Sequence, residues 1–133
     1  MKEHNLTPVL LANEIGVTRN AITRYLSGAH LPSFSVFVKL VERFNCSADY
    51  LLGLIEYPPA NVVFHPIPPF QKRFRELLTM YNMSQYALHH KTNFSYDNFN
   101  KWLKGITSPY MDNLIKLAQA FDCSIDYLIG HVL

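Results

Sequence analysis

The stretch "FDCSIDYLIG" at 121–130 has already occurred once, barely altered, as "FNCSADYLLG" at 44–53. Sliding the chain against itself by 77 positions aligns the two without a gap, and the match runs back to Leu6. Leu11 meets Leu88, Leu26 meets Leu103, Gly28 meets Gly105, Pro32 meets Pro109 and Lys39 meets Lys116. Where identity fails, character is kept, as in Thr7 with Ser84, Thr18 with Ser95 and Tyr25 with Trp102. An internal repeat settles the architecture before any local pattern is read. The 133 residues divide into two small units, each near the lower size limit for an independent core. The expected boundaries are 1–55 and 70–133, with a linker at 56–69.

Within the first unit, Thr7 and Pro8 open a helix as N-cap and first helical residue, and Leu11, Ala12 and Ile15 share one face. Gly16 supplies the left-handed turn, Thr18 caps the next helix, and Ile22, Tyr25 and Leu26 point inward until Gly28 stops it. Phe37, Leu40, Val41 and Phe44 then recur at helical spacing. Ser47 caps a last short helix that Gly53 closes, and Asp49 is expected to place its charge on that helix's own positive end. Strand alternation is absent, so the fold class is all-α.

The second unit adds a helix at its front, where Phe70, Phe74, Leu77, Leu78 and Tyr81 form a stripe begun by Pro69. Met1 aligns with Leu78, so the first copy lacks most of this helix. Each buried side chain of this size is worth roughly 1.5–3 kcal/mol, so something must cover the face left open. Val62, Val63, Phe64 and Ile67 of the linker are the expected cover, from the same chain or exchanged from a second copy, unless the natural chain begins upstream of Met1. Five prolines between Leu54 and Pro69 keep that segment extended, and "NVVF" is a candidate short strand.

Several functions are argued against by what the residues lack. No apolar run approaches the roughly 18 residues of a membrane span, and no signal peptide opens the chain, so a cytoplasmic protein is expected. Cys46 and Cys123 sit at equivalent positions of different repeats and read as small core residues rather than a disulfide or metal pair. His89 and His90 point about 100° apart on a helix, a poor start for a metal site. With no nucleophile–base pairing and no glycine-rich phosphate loop, neither catalysis nor a cofactor is expected. The net charge of +2 permits a nucleic-acid partner without demanding one.

The order of features in "LTPVLLANEIGVTRNAITRYLSGAHLP" followed by "FVKLVERFNCSADYLLG" resembles the helix-turn-helix domains of the phage repressor and Cro type. The resemblance covers both repeats. It implies two tandem lambda-repressor-like domains joined by a Pro-rich linker, with the third helix of each in a DNA major groove. Carried onto this chain, Arg19, Asn20 and Thr23 become base-reading residues of the first copy, and Tyr96, Asn98 and Asn100 those of the second. Arginine and asparagine have the bidentate chemistry for guanine and adenine. Thr7, Arg24, Ser33, Gln85, Lys101 and Lys104 become phosphate contacts. Gln85 matches the family's phosphate-contacting glutamine, whereas Pro8 does not.

The second copy departs from the pattern in three ways. Asp97 would face a polyanion, Thr92-Asn93 replaces the Ile-Gly turn, and His89 replaces small Ala12 where two helices cross, which is expected to loosen that crossing. The implied function is sequence-specific binding of double-stranded DNA by a transcriptional regulator, acting as a single-chain pseudo-dimer or a homodimer. The rival is an interaction module that pairs with another regulator without reading DNA.

Overall fold

Serine precedes five of the apolar runs, and each of these serines becomes an N-cap. In the computed structural model, which describes residues 32–133 together with Asn13, Gly16 and Asn20, every regular element is a helix. Ser33 caps α1 (Phe34–Phe44), Ser47 caps α2 (Ala48–Leu51), Ser84 caps α4 (Gln85–Thr92), Ser95 caps α5 (Tyr96–Lys104) and Ser124 caps α7 (Ile125–Ile129). In each case the hydroxyl accepts from the backbone N–H three residues on, which satisfies one of the donors a helix start leaves open. The remaining two, α3 (Phe70–Met80) and α6 (Met111–Phe121), begin after Pro69 and Tyr110 without a side-chain cap.

The helical stripes bury largely as their spacing predicts, except that Tyr81 is 39% exposed and Leu40, Phe44 and Leu78 are only half-buried. Phe70, Phe74 and Leu77 of α3 face Phe99 and Trp102 of α5, and Trp102 takes the edges of Phe70, Phe74, Phe94 and Phe99 at centroid distances of 5.6–6.3 Å. Leu88, Leu114, Leu117, Ile125 and Leu128 complete this core. Arg73 lies in the same α3 stripe and is only 5% exposed. Its guanidinium donates to the Tyr127 carbonyl at 2.6 and 3.2 Å and lies over the Tyr127 ring, so the buried charge is held by α7. In the first repeat Phe34, Phe37, Val41 and Ala48 are buried. Its helix-turn-helix segment, including Leu11, Ile22 and Leu26, lies outside the described residues, although Gly16 does take the left-handed φ of +82° expected of the turn.

The linker covers the first repeat differently from expectation. Val63 is 73% exposed, Val62 also faces out, and Phe64 stacks on the His131 ring of the second repeat (4.4 Å, 8°). Of the four expected residues, only Ile67 packs against the core, and its N–H donates to the Glu42 carboxylate at 3.2 Å. In an extended segment successive side chains point to opposite sides, so Val62, Val63 and Phe64 cannot all face the first repeat. Phe70 then sets its ring edge-on to Phe34 at 5.6 Å. "NVVF" forms no strand; the backbone bond there is His65 N–H to the His131 carbonyl.

The repeats are tied by an exchange of carboxylates. Asp49 stands in the first turn of its own helix, as expected, and its carboxylate also accepts from the N–H groups of Ile125 and Asp126, at 2.9 and 2.8 Å. Asp126 reciprocates, accepting from Ala48 and Asp49 N–H at 2.6 and 3.5 Å and from the Ser47 hydroxyl. Residues 48 and 49 are those that align with 125 and 126, so the contact has the form of a local two-fold axis. Each carboxylate neutralises the positive end of the other repeat's helix.

Burial pushes Asp49 above the ordinary carboxylate value and the neighbouring Asp126 side chain adds to this, against the lowering effect of the two N–H donors. A carboxyl whose folded value is raised adds stability that is complete below its unfolded value and is lost as pH rises through the folded one. Urea melts across that range should show wild-type stability falling with rising pH relative to Asp49→Asn. Parallel curves for the two proteins would place the titration elsewhere.

Candidate nucleic-acid interface

Helix α4 and helix α5 make the helix-turn-helix of the second repeat, and its turn survives without glycine. Asn93 adopts φ 64°, the left-handed region that asparagine enters more readily than other non-glycine residues. Thr92 completes the turn, its hydroxyl donating to the Leu88 carbonyl at 2.7 Å and accepting from Phe94 N–H at 3.2 Å. His89, which stands where the first repeat has Ala12, is half-buried. Its ring lies toward the turn, with Nδ1 2.6 Å from the Phe94 carbonyl, and stacks on Tyr96 at 4.7 Å.

Phe99 and Trp102 anchor α5 from below, which turns Tyr96, Asp97, Asn100, Lys101 and Lys104 outward and leaves Asn98 half-buried. Gly105 ends the helix at φ 74°. A Cβ there would meet only the amide end of the exposed Gln71 side chain, which can swing aside, so the positive φ is what favours glycine. Gln85 is the first residue of α4, half-buried beside the Ser84 cap. The Lys101 ammonium lies 3.1 Å from the Asp97 carboxylate one turn earlier, an exposed pair with which a phosphate would compete. Asp97 thus has a partner within its own helix, which lessens its conflict with a polyanion.

On the first repeat, Ser33 is exposed at the start of α1, where its hydroxyl accepts from Val36 N–H at 3.4 Å. Asn20 is helical and exposed. Thr7, Arg19, Thr23 and Arg24 lie outside the described residues. The second-repeat residues Tyr96, Asn100, Lys101 and Lys104 are therefore brought to one helix surface, with Gln85 on the preceding helix. Sequence reasoning missed the role of His89 at this surface; the signal was a ring-bearing residue at a position where its repeat counterpart is Ala12.

The other candidate chemistries have ordinary explanations. His90 sets its ring against Tyr86 at 4.3 Å, and among the described residues no group of His, Cys, Asp and Glu is arranged to hold a metal ion. Both cysteines are free and half-buried. Burial raises Cys46, with Asp126 adding to it, and burial pushes Cys123 up to about 11, so both are thiols rather than thiolates at neutral pH. No described helix is long and apolar enough to cross a membrane.

Comparison with known families gives matches at both repeats. The Cro/C1-type helix-turn-helix DNA-binding domain matches residues 73–132, and the helix-turn-helix family matches residues 1–51. Each repeat is thus similar to a helix-turn-helix domain, the second to the Cro/C1 type. A relative in Bacillus subtilis (strain 168), the uncharacterized HTH-type transcriptional regulator YobD, is 33% identical over 61 residues. That alignment takes in 46% of this chain and 54% of YobD, so this helix-turn-helix protein matches about half the length of that relative. No solved structure matches it.

In the tandem protein the Asp97–Lys101 pair is solvent-exposed and contributes little, about 0.3–0.5 kcal/mol for a helical pair of this spacing. Asp97→Ala should accordingly leave the melting transition nearly unchanged while freeing the Lys101 ammonium. Duplex affinity should then rise, and its salt dependence should steepen by the equivalent of about one phosphate contact. Titrations at several salt concentrations would read both, and weaker binding by Asp97→Ala would contradict this account of the pair.

Proposed function

We propose that this chain is a sequence-specific, duplex-DNA-binding transcriptional regulator whose two domains, 1–55 and 70–133, occupy one site as a single-chain pseudo-dimer. The observation that carries this reading is the reciprocal exchange between Asp49 and Asp126, which pairs the repeats as two subunits of a two-fold dimer would be paired. Half-sites of such dimers lie about 34 Å apart, one helical turn. Base reading falls to Arg19, Asn20 and Thr23 in the first domain and to Tyr96, Asn98 and Asn100 in the second. Phosphates are held by Thr7, Arg24, Ser33, Gln85, Lys101 and Lys104. The recognition helices differ at nearly every outward position, so the preferred site is asymmetric.

Selection from a randomised duplex pool, with sequencing of the bound fraction, should return an asymmetric site occupied by one chain. A palindrome bound by two chains would overturn the pseudo-dimer. The rival reading, an interaction module, is favoured by one observation, the Asp97 carboxylate standing largely exposed on the recognition helix. A salt series separates the two, since counterion release weakens DNA binding steeply and an apolar protein contact hardly at all.

Among the assigned residues the first domain carries most of the discrimination. Arg19→Ala should lose about 1–3 kcal/mol of preference at a single base pair, whereas Arg24→Ala should weaken binding to all sequences alike. Affinities for the selected duplex and its single-base variants would distinguish the two effects, and a uniform loss for Arg19→Ala would exchange the roles.

A further inference from the structure

We propose that His89 is a positioning residue for DNA reading by the second repeat, holding the Tyr96 ring in one orientation at the start of the recognition helix. The inference rests on the assignment of Tyr96 to base reading, and it begins from a difference between the repeats. The first repeat has Ala12 at the position that aligns with His89, and the first has Arg19 where the second has Tyr96. A ring therefore enters the helix crossing in the repeat whose recognition helix opens with a ring.

The geometry fixes the histidine first. Its Nδ1 lies 2.6 Å from the Phe94 carbonyl, and because a carbonyl only accepts, Nδ1 carries the proton. The bond ties α4 to the turn and sets the plane of the imidazole. On that plane the Tyr96 ring stacks, with centroids 4.7 Å apart and an angle of 27°. The edge of the fully buried Phe99 meets Tyr96 on another side, at 6.2 Å and 78°. A tyrosine has only two side-chain torsions, and contacts with two fixed rings leave it little freedom. Tyr96 nevertheless remains 42% exposed, so a held ring is presented outward. A ring presented in one orientation can meet a thymine methyl or place its hydroxyl against a base edge, whereas a freely turning ring meets all base pairs more nearly alike.

The test uses the full chain and a randomised duplex pool, with wild type, Tyr96→Ala, His89→Ala and His89→Phe compared side by side. Tyr96→Ala should erase the preference at one base-pair position. His89→Ala should weaken preference at that same position by about two- to tenfold, the range expected from losing one aromatic pair, with affinity for an unrelated duplex unchanged. His89→Phe keeps a ring face but loses the Nδ1 bond that sets its plane, so it should restore the preference at that position only in part, whereas a merely structural role would change affinity for all duplexes together. The Tyr96 ring resonances of the free protein should shift in His89→Ala and far less in His89→Phe, a readout independent of DNA. Unchanged preference in His89→Ala, or equal losses at every position, overturns the proposal. It is equally overturned if Tyr96→Ala affects no position, and shifted Tyr96 resonances in that case would locate the failure in base reading rather than in positioning.

Discussion

Asp49 and Asp126 hold the molecule together because a helix start always leaves backbone N–H groups without intrahelical partners. In most helices of this protein a serine immediately before the first turn supplies one acceptor. Helices α2 and α7 are very short, too short to be stable alone, and their open donors point toward the other repeat. Placing each aspartate on the opposite helix satisfies those donors and brings two carboxylates into a common buried setting. That setting opposes ionisation of Asp49, yet the donors around it keep the charge from being stranded. Removing one partner would leave N–H groups buried and unpaired, a loss larger than the net worth of the bonds themselves.

Other contacts between the repeats gather around this exchange. The His131 ring, 2% exposed, has Nε2 at 3.0 Å from the Cys46 carbonyl and Nδ1 at 3.1 Å from the His65 carbonyl. Both neighbours are acceptors, so a neutral imidazole serves one at a time and a doubly protonated ring serves both. Through it the tail of the second repeat touches the first repeat and the linker at once. Phe64 closes over the ring, and Arg73 holds α7 from the other side through the Tyr127 carbonyl. The linker is thus part of the interface between the repeats rather than a loose tether, and its prolines keep it in the extended form that this path needs.

Local features were legible in the sequence because their causes are local. The Phe37–Val41 and Phe74–Leu77 spacings gave helices buried where the period places them, and Asn93 took the left-handed turn for which its side chain suits it. What was not legible depends on residues far apart in the chain. Asp49 follows its own cap by two residues, which suggests local capping, and nothing nearby indicates that its acceptor oxygens turn to residues 125 and 126. Arg73 lies on the apolar face of α3 between Phe70 and Leu77, but its acceptor is a carbonyl 54 residues away. Val63 looked like core by composition and is exposed, since composition says nothing of which way an extended segment faces. At the surface proposed to read DNA, the outward residues of α5 followed from helical period alone, while the Asp97–Lys101 pair and the His89–Tyr96 stack required geometry.

Duplication within one chain changes what each copy must do. Two identical chains that pair across a two-fold axis must use the same surface on each side, so any change in the recognition helix appears in both half-sites. Here the exchanging residues Asp49 and Asp126 are matched between the copies, while the residues aligned along the expected recognition helices, 19–27 and 96–104, differ at most positions. The matched carboxylates lie where the repeats meet. The second turn shows how far the divergence could go without loss of the fold. Asn93 takes the left-handed φ that glycine would otherwise supply, Thr92 adds side-chain bonds across the turn, and His89 ties its ring to the Phe94 carbonyl. Such replacements are tolerated because the crossing is judged by its hydrogen bonds and packing rather than by residue identity. A fused pair can therefore keep one interface fixed and let each reading head change separately, which two separate copies of one chain cannot do.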